Sequence, residues 1–188
     1  MNTPSYILVN MCINFALIML FLRFMVQFAE IDRRSPIVGT IYRFSSVVDV
    51  FSHIFPTVGK GRINLASIVL MLLLYLINVL ANAIILGKGI TALELLFVGS
   101  LSGVIKFLAV LRYTLIASVV CSWIVLFTQT NNAIVGLIMQ LAEPIVAPFR
   151  RITPNIGMLD LSFLVAMFAL LLLEKAITII GVNILQSL

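Results

Sequence analysis

The stretch PIVAPFRRITPNIGMLDLS, from Pro144 to Ser162, has a degenerate counterpart in the first half of the chain. One constant, gapless offset puts Val48 on Val146, Phe51 on Phe149, Ile54 on Ile152, Pro56 on Pro154 and Gly59 on Gly157. In both places an apolar run precedes the element and another follows it. The repetition predicts a duplicated unit of hydrophobic segment, amphipathic loop and hydrophobic segment, with boundaries at residues 1–89 and 90–188.

Composition sets the solvent. Apolar residues make up 62% of the 188 positions and charged residues 10%, with a mean hydropathy of +1.21. Soluble chains are about half apolar, so lipid is the expected surrounding for most of this one. Cys12 and Cys121 lie inside apolar runs, which argues against a disulfide framework or a metal site. The start MNTPSYILVN lacks a basic n-region, so no cleavable signal peptide is expected. The net charge of +5 is spread through loops beside apolar runs. That distribution suits topology and anionic head groups, not nucleic acid.

An all-α membrane protein with four transmembrane helices is therefore predicted, at about residues 5–28, 65–86, 104–128 and 163–185. Arg23 lies close enough to the end of the first span to snorkel. Residues 90–103 are expected to form an interfacial or helical extension into the third span. Arg33, Arg34, Arg43, Lys60, Arg62, Arg150 and Arg151 fall in the two long loops, against Lys88 in the opposite connection. The positive-inside rule then puts both loops in the cytoplasm and both termini outside it. In a bacterial cell that makes a multi-pass inner-membrane protein whose halves form a parallel repeat.

Each loop is expected to carry an amphipathic helix at the membrane surface. Ile37, Ile41, Phe44, Val48, Phe51 and Phe55 recur at steps of four and three, predicting one helix over 37–55. Its counterpart over 133–143 meets Pro144, expected to end it, and Pro148 and Pro154 predict an extended path beyond. Gly157 allows a tight turn, and Asp160 to Ser162 can cap the fourth span.

At this element the chain resembles the YggT family of bacterial membrane proteins, which includes the YlmG proteins of plastids and cyanobacteria. The family pattern is a proline, a second proline after three residues, an Arg-Arg pair, a further proline, glycines and Asp-x-Ser. Pro144, Pro148, Arg150, Arg151, Pro154, Gly157, Asp160 and Ser162 match it in order and spacing. Met158 stands where a second glycine is usual, and Phe163 where a proline often follows. In the N-terminal copy Ser46 and Val50 replace the early prolines, and Ser52–His53 the arginine pair. The resemblance implies association with cell division, osmotic or ion tolerance, or cytochrome haem assembly, and no agreed biochemical activity.

Two readings stand for Arg150 and Arg151: anchors at lipid phosphates, or a docking knot for an acidic partner held by the prolines. Asp160 reads as a helix cap or a partner for Arg151. Glu174 and Lys175 fall near the middle of the last span. Counting along the helices puts Glu174 about 18 Å deep and Arg112 about 24 Å deep, so the two can pair. Three readings stand: a structural bridge, a last span shifted in depth so that Lys175 snorkels, or part of an ion path. Asn10 with Asn14, and Asn78 with Asn82, form polar stripes that serve as interhelical glue or line a hydrophilic route. Gly99 and Gly103 form a GxxxG pair suited to close packing or to a homo-oligomer. His53, the sole histidine, reads as a polar residue on an exposed helix face more readily than as a haem ligand. No spacing suggests a catalytic triad, nucleotide loop or haem-attachment motif, so no enzyme and no cofactor is expected. The expected role is to organise or assist another membrane or division protein, in cell division or cofactor assembly, with small ion-handling or osmotic-tolerance transport as the rival.

Overall fold

The computed structural model describes residues 4–59, 61–87, 89–129, 132–153 and 161–187. It is almost wholly helical, and five of its helices are long and apolar enough to cross a membrane. In lipid every backbone N–H and C=O must be satisfied within its own segment, and helices do this residue by residue. The chain divides into two compact units, Met1–Gly103 and Val104–Leu188.

The first unit is built on α1 (Pro4–Phe28) and α4 (Leu65–Ile85), which pack along each other. Between them run α2 (Pro36–Phe44), α3 (Val47–Phe51) and a hairpin of β1 (Thr57–Val58) with β2 (Ile63–Asn64). Proline at the first position of α2 costs no hydrogen bond, because that N–H has no intrahelical partner anyway. Thr57 pairs with Asn64 and Val58 with Ile63. Gly59 and Gly61 take the positive φ values, 66° and 87°, that the reversal needs. Leu20, Val48, Ala66 and Leu70 form the buried cluster, with Phe51, Phe55, Met71 and Leu74 packed around it.

The single amphipathic helix expected over 37–55 is two helices. The Ser45 hydroxyl bonds back to the Ile41 carbonyl at 2.6 Å, competing with the regular ladder. Val48 N and Asp49 N then bond three residues back, to Ser45 O and Ser46 O. The tightened turn separates α2 from α3 while Ile41 and Val48 both stay buried.

Helix α5 runs unbroken from Ala92 to Thr128. The segment before the expected third span is thus a helical extension. At about 55 Å the helix exceeds the roughly 30 Å hydrocarbon core. Thr91 and Glu94 close its start reciprocally: Thr91 N donates to Glu94 Oε2 at 2.9 Å, and Glu94 N to Thr91 Oγ1 at 3.2 Å. Gly99 lies against Leu76 of α4, and Gly103 against Tyr75 and Leu72. A methyl at Gly99 would stand 2.3 Å from Leu76 Cδ2, so the glycines are used for packing inside this unit. The two compact units divide within α5, after Gly103.

The second unit packs α6 (Ala133–Arg150) on α7 (Leu161–Ser187). Leu115 of α5, Ala142, Val146 and Ala166 form its cluster, surrounded by Ile145, Phe149, Phe163, Met167 and Leu170. Pro144 does not end α6, which continues through Pro148 to Arg150. The two prolines are one turn apart on one face, so both missing donors fall there. Ala142 and Val146, on the opposite side, are fully buried and hold the helix together.

Candidate functional site

Arg23 does not snorkel. Its residue is 2% exposed at the end of α1, with Nη2 donating to the Asp49 carboxylate of α3. The Tyr42 ring of α2 covers the guanidinium, its centroid 3.4 Å from Cζ, while Nε and Nη1 have no hydrogen-bond acceptor among the described residues. Stacking on an aromatic face suits guanidinium, which is more weakly hydrated than ammonium. Arg33 approaches the same ring at 4.5 Å. This arrangement fastens the loop helices to the first span. The sequence signal was present in a lone arginine within an apolar run and a lone aspartate on the loop helix.

Beside it, Gln27 bridges α1 to the hairpin. Its Nε2 donates to Gly61 O at 2.8 Å, and its Oε1 accepts from Asn64 Nδ2 at 2.9 Å. Asn64 also caps α4, accepting from Ser67 N at 3.2 Å. At the surface Arg62 Nη2 donates to Glu30 Oε2 at 2.9 Å. The hydrogen bond and positive charge of Arg62 lower the Glu30 pKa, and the carboxylate raises that of Arg62. On the outer side of these helices Phe44, Val47, Val50 and Ile54 are exposed, alongside the exposed Arg33, Arg34 and Arg43.

In the second unit Arg150 is paired through Nη1 with Glu143 of the same helix and lies 5.9 Å from the centroid of Phe163. Arg151 caps α6 with its side chain exposed. The two guanidiniums of the motif are therefore in different states: one partly neutralised, the other outward. Pro144 is half-buried and Pro148 exposed. Ser162 is fully buried in the first turn of α7, where its hydroxyl shares a hydrogen bond with Thr153. Thr153 also donates to Phe149 O at 2.9 Å, tying the end of α6 to the start of α7. Sequence reasoning passed over Thr153, which matches no motif position. Pro154, Gly157 and Asp160 lie outside the described residues, as do the turn, cap and Arg151 pairing expected there. The offset that relates the loops also sets Asn64 on Ser162, and both are buried at a helix start.

Deeper in the same unit, Arg112 Nη2 lies 3.3 Å from Glu174 Oε2, each side chain about one-fifth exposed. The approach is an ion-pair contact without hydrogen-bond alignment. In the first unit the asparagine stripes meet: Asn10 Nδ2 donates to Asn82 Oδ1, and Asn78 and Asn82 both donate to Asn10 Oδ1. Asn14 is exposed and takes no part among the described residues. His53 follows α3 in a turn, its Nδ1 2.9 Å from Asp49 O. Among the described residues no cluster of His, Cys, Asp or Glu could hold a metal ion.

Residues 98–181 match the CCB3/YggT family. An uncharacterised protein of Pseudomonas aeruginosa is 31% identical, over 94% of this chain and 89% of its own length. One from Haemophilus influenzae is 32% identical, over 92% and 91%. The uncharacterised YggT protein of Escherichia coli K12 is 25% identical, over 94% and 90%. No solved structure matches the chain.

Proposed function

The chain belongs to the YggT family, and on that premise we propose that it is a non-enzymatic inner-membrane protein that organises or assists a membrane complex through its cytoplasmic amphipathic segments. The observation that carries this reading is the two-sidedness of those segments. Val38, Ile41 and Val48 in one unit, and Leu141, Ala142 and Val146 in the other, are buried against the unit's own apolar helices. The opposite sides present exposed apolar residues with arginines in the first unit, and Arg151 in the second. Such a surface suits the head-group region or a partner lying on it.

In this reading four helices cross and α6 lies along the interface. At 18 residues, about 27 Å, it is at the short limit for crossing a roughly 30 Å core. It also holds Gln140, Glu143, Pro144, Pro148 and Arg150. Four crossings put both termini in the periplasm and both basic loops in the cytoplasm. A tandem repeat of two-span units is supported by Val48 and Val146, related by the loop offset and both fully buried in their clusters. Phe51 and Phe149 stand in the same relation.

A photocrosslinker at exposed Ala147, beside the basic knot, tests the reading in intact cells. A defined protein adduct lost in Arg151→Ala is expected, and adducts with lipid alone would refute docking. The Arg112–Glu174 pair favours a second reading, in which the protein handles small ions. Purified protein in liposomes, assayed for K⁺ and H⁺ flux beside Glu174→Gln, decides it. Flux in neither sample would remove that reading for the isolated protein.

A further inference from the structure

Lys175 is exposed on α7, and its side chain makes no hydrogen bond or ion pair among the described residues. It stands at the middle of a helix running from Leu161 to Ser187, about 20 Å from either end. That is farther than a lysine stem reaches to a head group. The buried side of α7 carries Ser162 and Ala166. At 100° per residue Lys175 points away from that side. Leu164, Phe168, Leu172, Ile179 and Val182 share its direction and are exposed by 44–60%; Leu173 and Ile180 are exposed on other faces too, so it is the lysine that marks this direction. Spacings of four and three residues join them into one seam of the kind that packs against another helix. A cation in the centre of a lipid-facing seam is costly unless an opposite charge meets it.

From this geometry we infer that the Lys175 seam is a docking surface for a transmembrane helix of another protein that carries an aspartate or glutamate near mid-span. The inference rests on the proposed organising role only for the presence of such a partner. A second copy does not fit the seam. Glu174 is the one carboxylate of this chain within the expected spans. It is turned about 100° from Lys175 and is engaged by Arg112. Two copies meeting along the seam would bring lysine against lysine.

The test uses the full-length protein in liposomes, labelled as energy-transfer donor, and a synthetic leucine-rich single-span peptide labelled as acceptor. The peptide carries Asp, Asn, Lys or Leu at its centre. The Asp peptide should bind about tenfold more tightly than the Leu peptide, a difference of about 1.4 kcal/mol. The preference should persist in Lys175→Arg, fall within about twofold in Lys175→Leu, and turn toward the Lys peptide in Lys175→Glu. Equal binding of the Asp and Leu peptides, or a preference that survives Lys175→Leu, would overturn the inference. Self-association of labelled protein that is abolished by Lys175→Leu would also overturn it, by making a second copy the occupant. The assay contains no cytoplasmic partner, so its failure and failure of loop docking are separate results.

Discussion

Asn10 and Asn82 exchange hydrogen bonds in both directions, Nδ2 of Asn10 donating at 2.8 Å and Nδ2 of Asn82 returning at 3.2 Å. Asn78 adds a donor to the Asn10 oxygen and accepts from Asn82, both at 3.1 Å. Apolar contact gains little over lipid contact within a bilayer, so amides that satisfy one another contribute direction and register to the α1–α4 packing. Replacing Asn82 by Leu should cost about 0.6–1.7 kcal/mol. A double-mutant cycle with Asn10→Leu, read by unfolding in mixed micelles, should give a coupling energy of the same sign. Strict additivity would show that the amides act independently.

Arg23 and Asp49 supply a second stability prediction. Arg23 is buried, but the Asp49 side chain is 58% exposed, so water already screens one partner. Asp49→Asn leaves the guanidinium with the Tyr42 ring and a neutral acceptor, and should cost about 1–2 kcal/mol, less than a fully buried pair. Arg23→Leu with Asp49→Leu should recover most of that loss. Thermal melts in one detergent would show it, and a double variant less stable than Asp49→Asn would contradict the assignment.

The Glu30–Arg62 contact gives a pH dependence. Its folded-state carboxyl pKa is lowered. Its contribution is therefore present above the unfolded value of about 4.3 and is lost as pH falls through the folded one. Both side chains are more than half exposed, so the effect is small and salt-sensitive. Glu30→Gln should leave neutral-pH melting nearly unchanged and flatten only the acid limb. A large shift at pH 7 would contradict this.

Orientation can be read by thiol labelling after Cys12 and Cys121 are replaced by alanine. Cysteines at Ser35 and Ile152 should be shielded from an impermeant reagent in intact cells, and cysteines at Asn2 and Leu188 labelled. If α6 crossed the bilayer, the termini would lie on opposite sides and only one would react.

Where lipid alone dictates the answer, the chain is plain to read: α1 and α4 end within a residue of the apolar runs that announce them. The Arg112–Glu174 pair was legible too, because helical rise alone brings two intramembrane charges near one depth. Local rules failed where tertiary contact competes with them. Pro144 reads as a stop, yet buried Ala142 and Val146 carry the helix past it. Ile37 to Phe55 reads as one helix, yet a tightened turn at Ser45 and Ser46 divides it. Arg23 reads as a snorkelling side chain because Tyr42 and Asp49 are distant in sequence and no periodicity links them.

The burial of Arg23 also bears on the order of synthesis. A growing chain delivers α1 to the membrane before Asp49, 26 residues later, has emerged to meet it. Until then the first helix carries an uncompensated cation near its C-terminal end, which opposes its sliding deeper into lipid. Docking of α2 and α3 then converts this brake into a buried clasp. The amides of Asn10 wait longer, since Asn82 follows 72 residues behind. Assembly of the first unit is thus timed by two polar contacts, the clasp at the membrane surface closing before the amide lock within it.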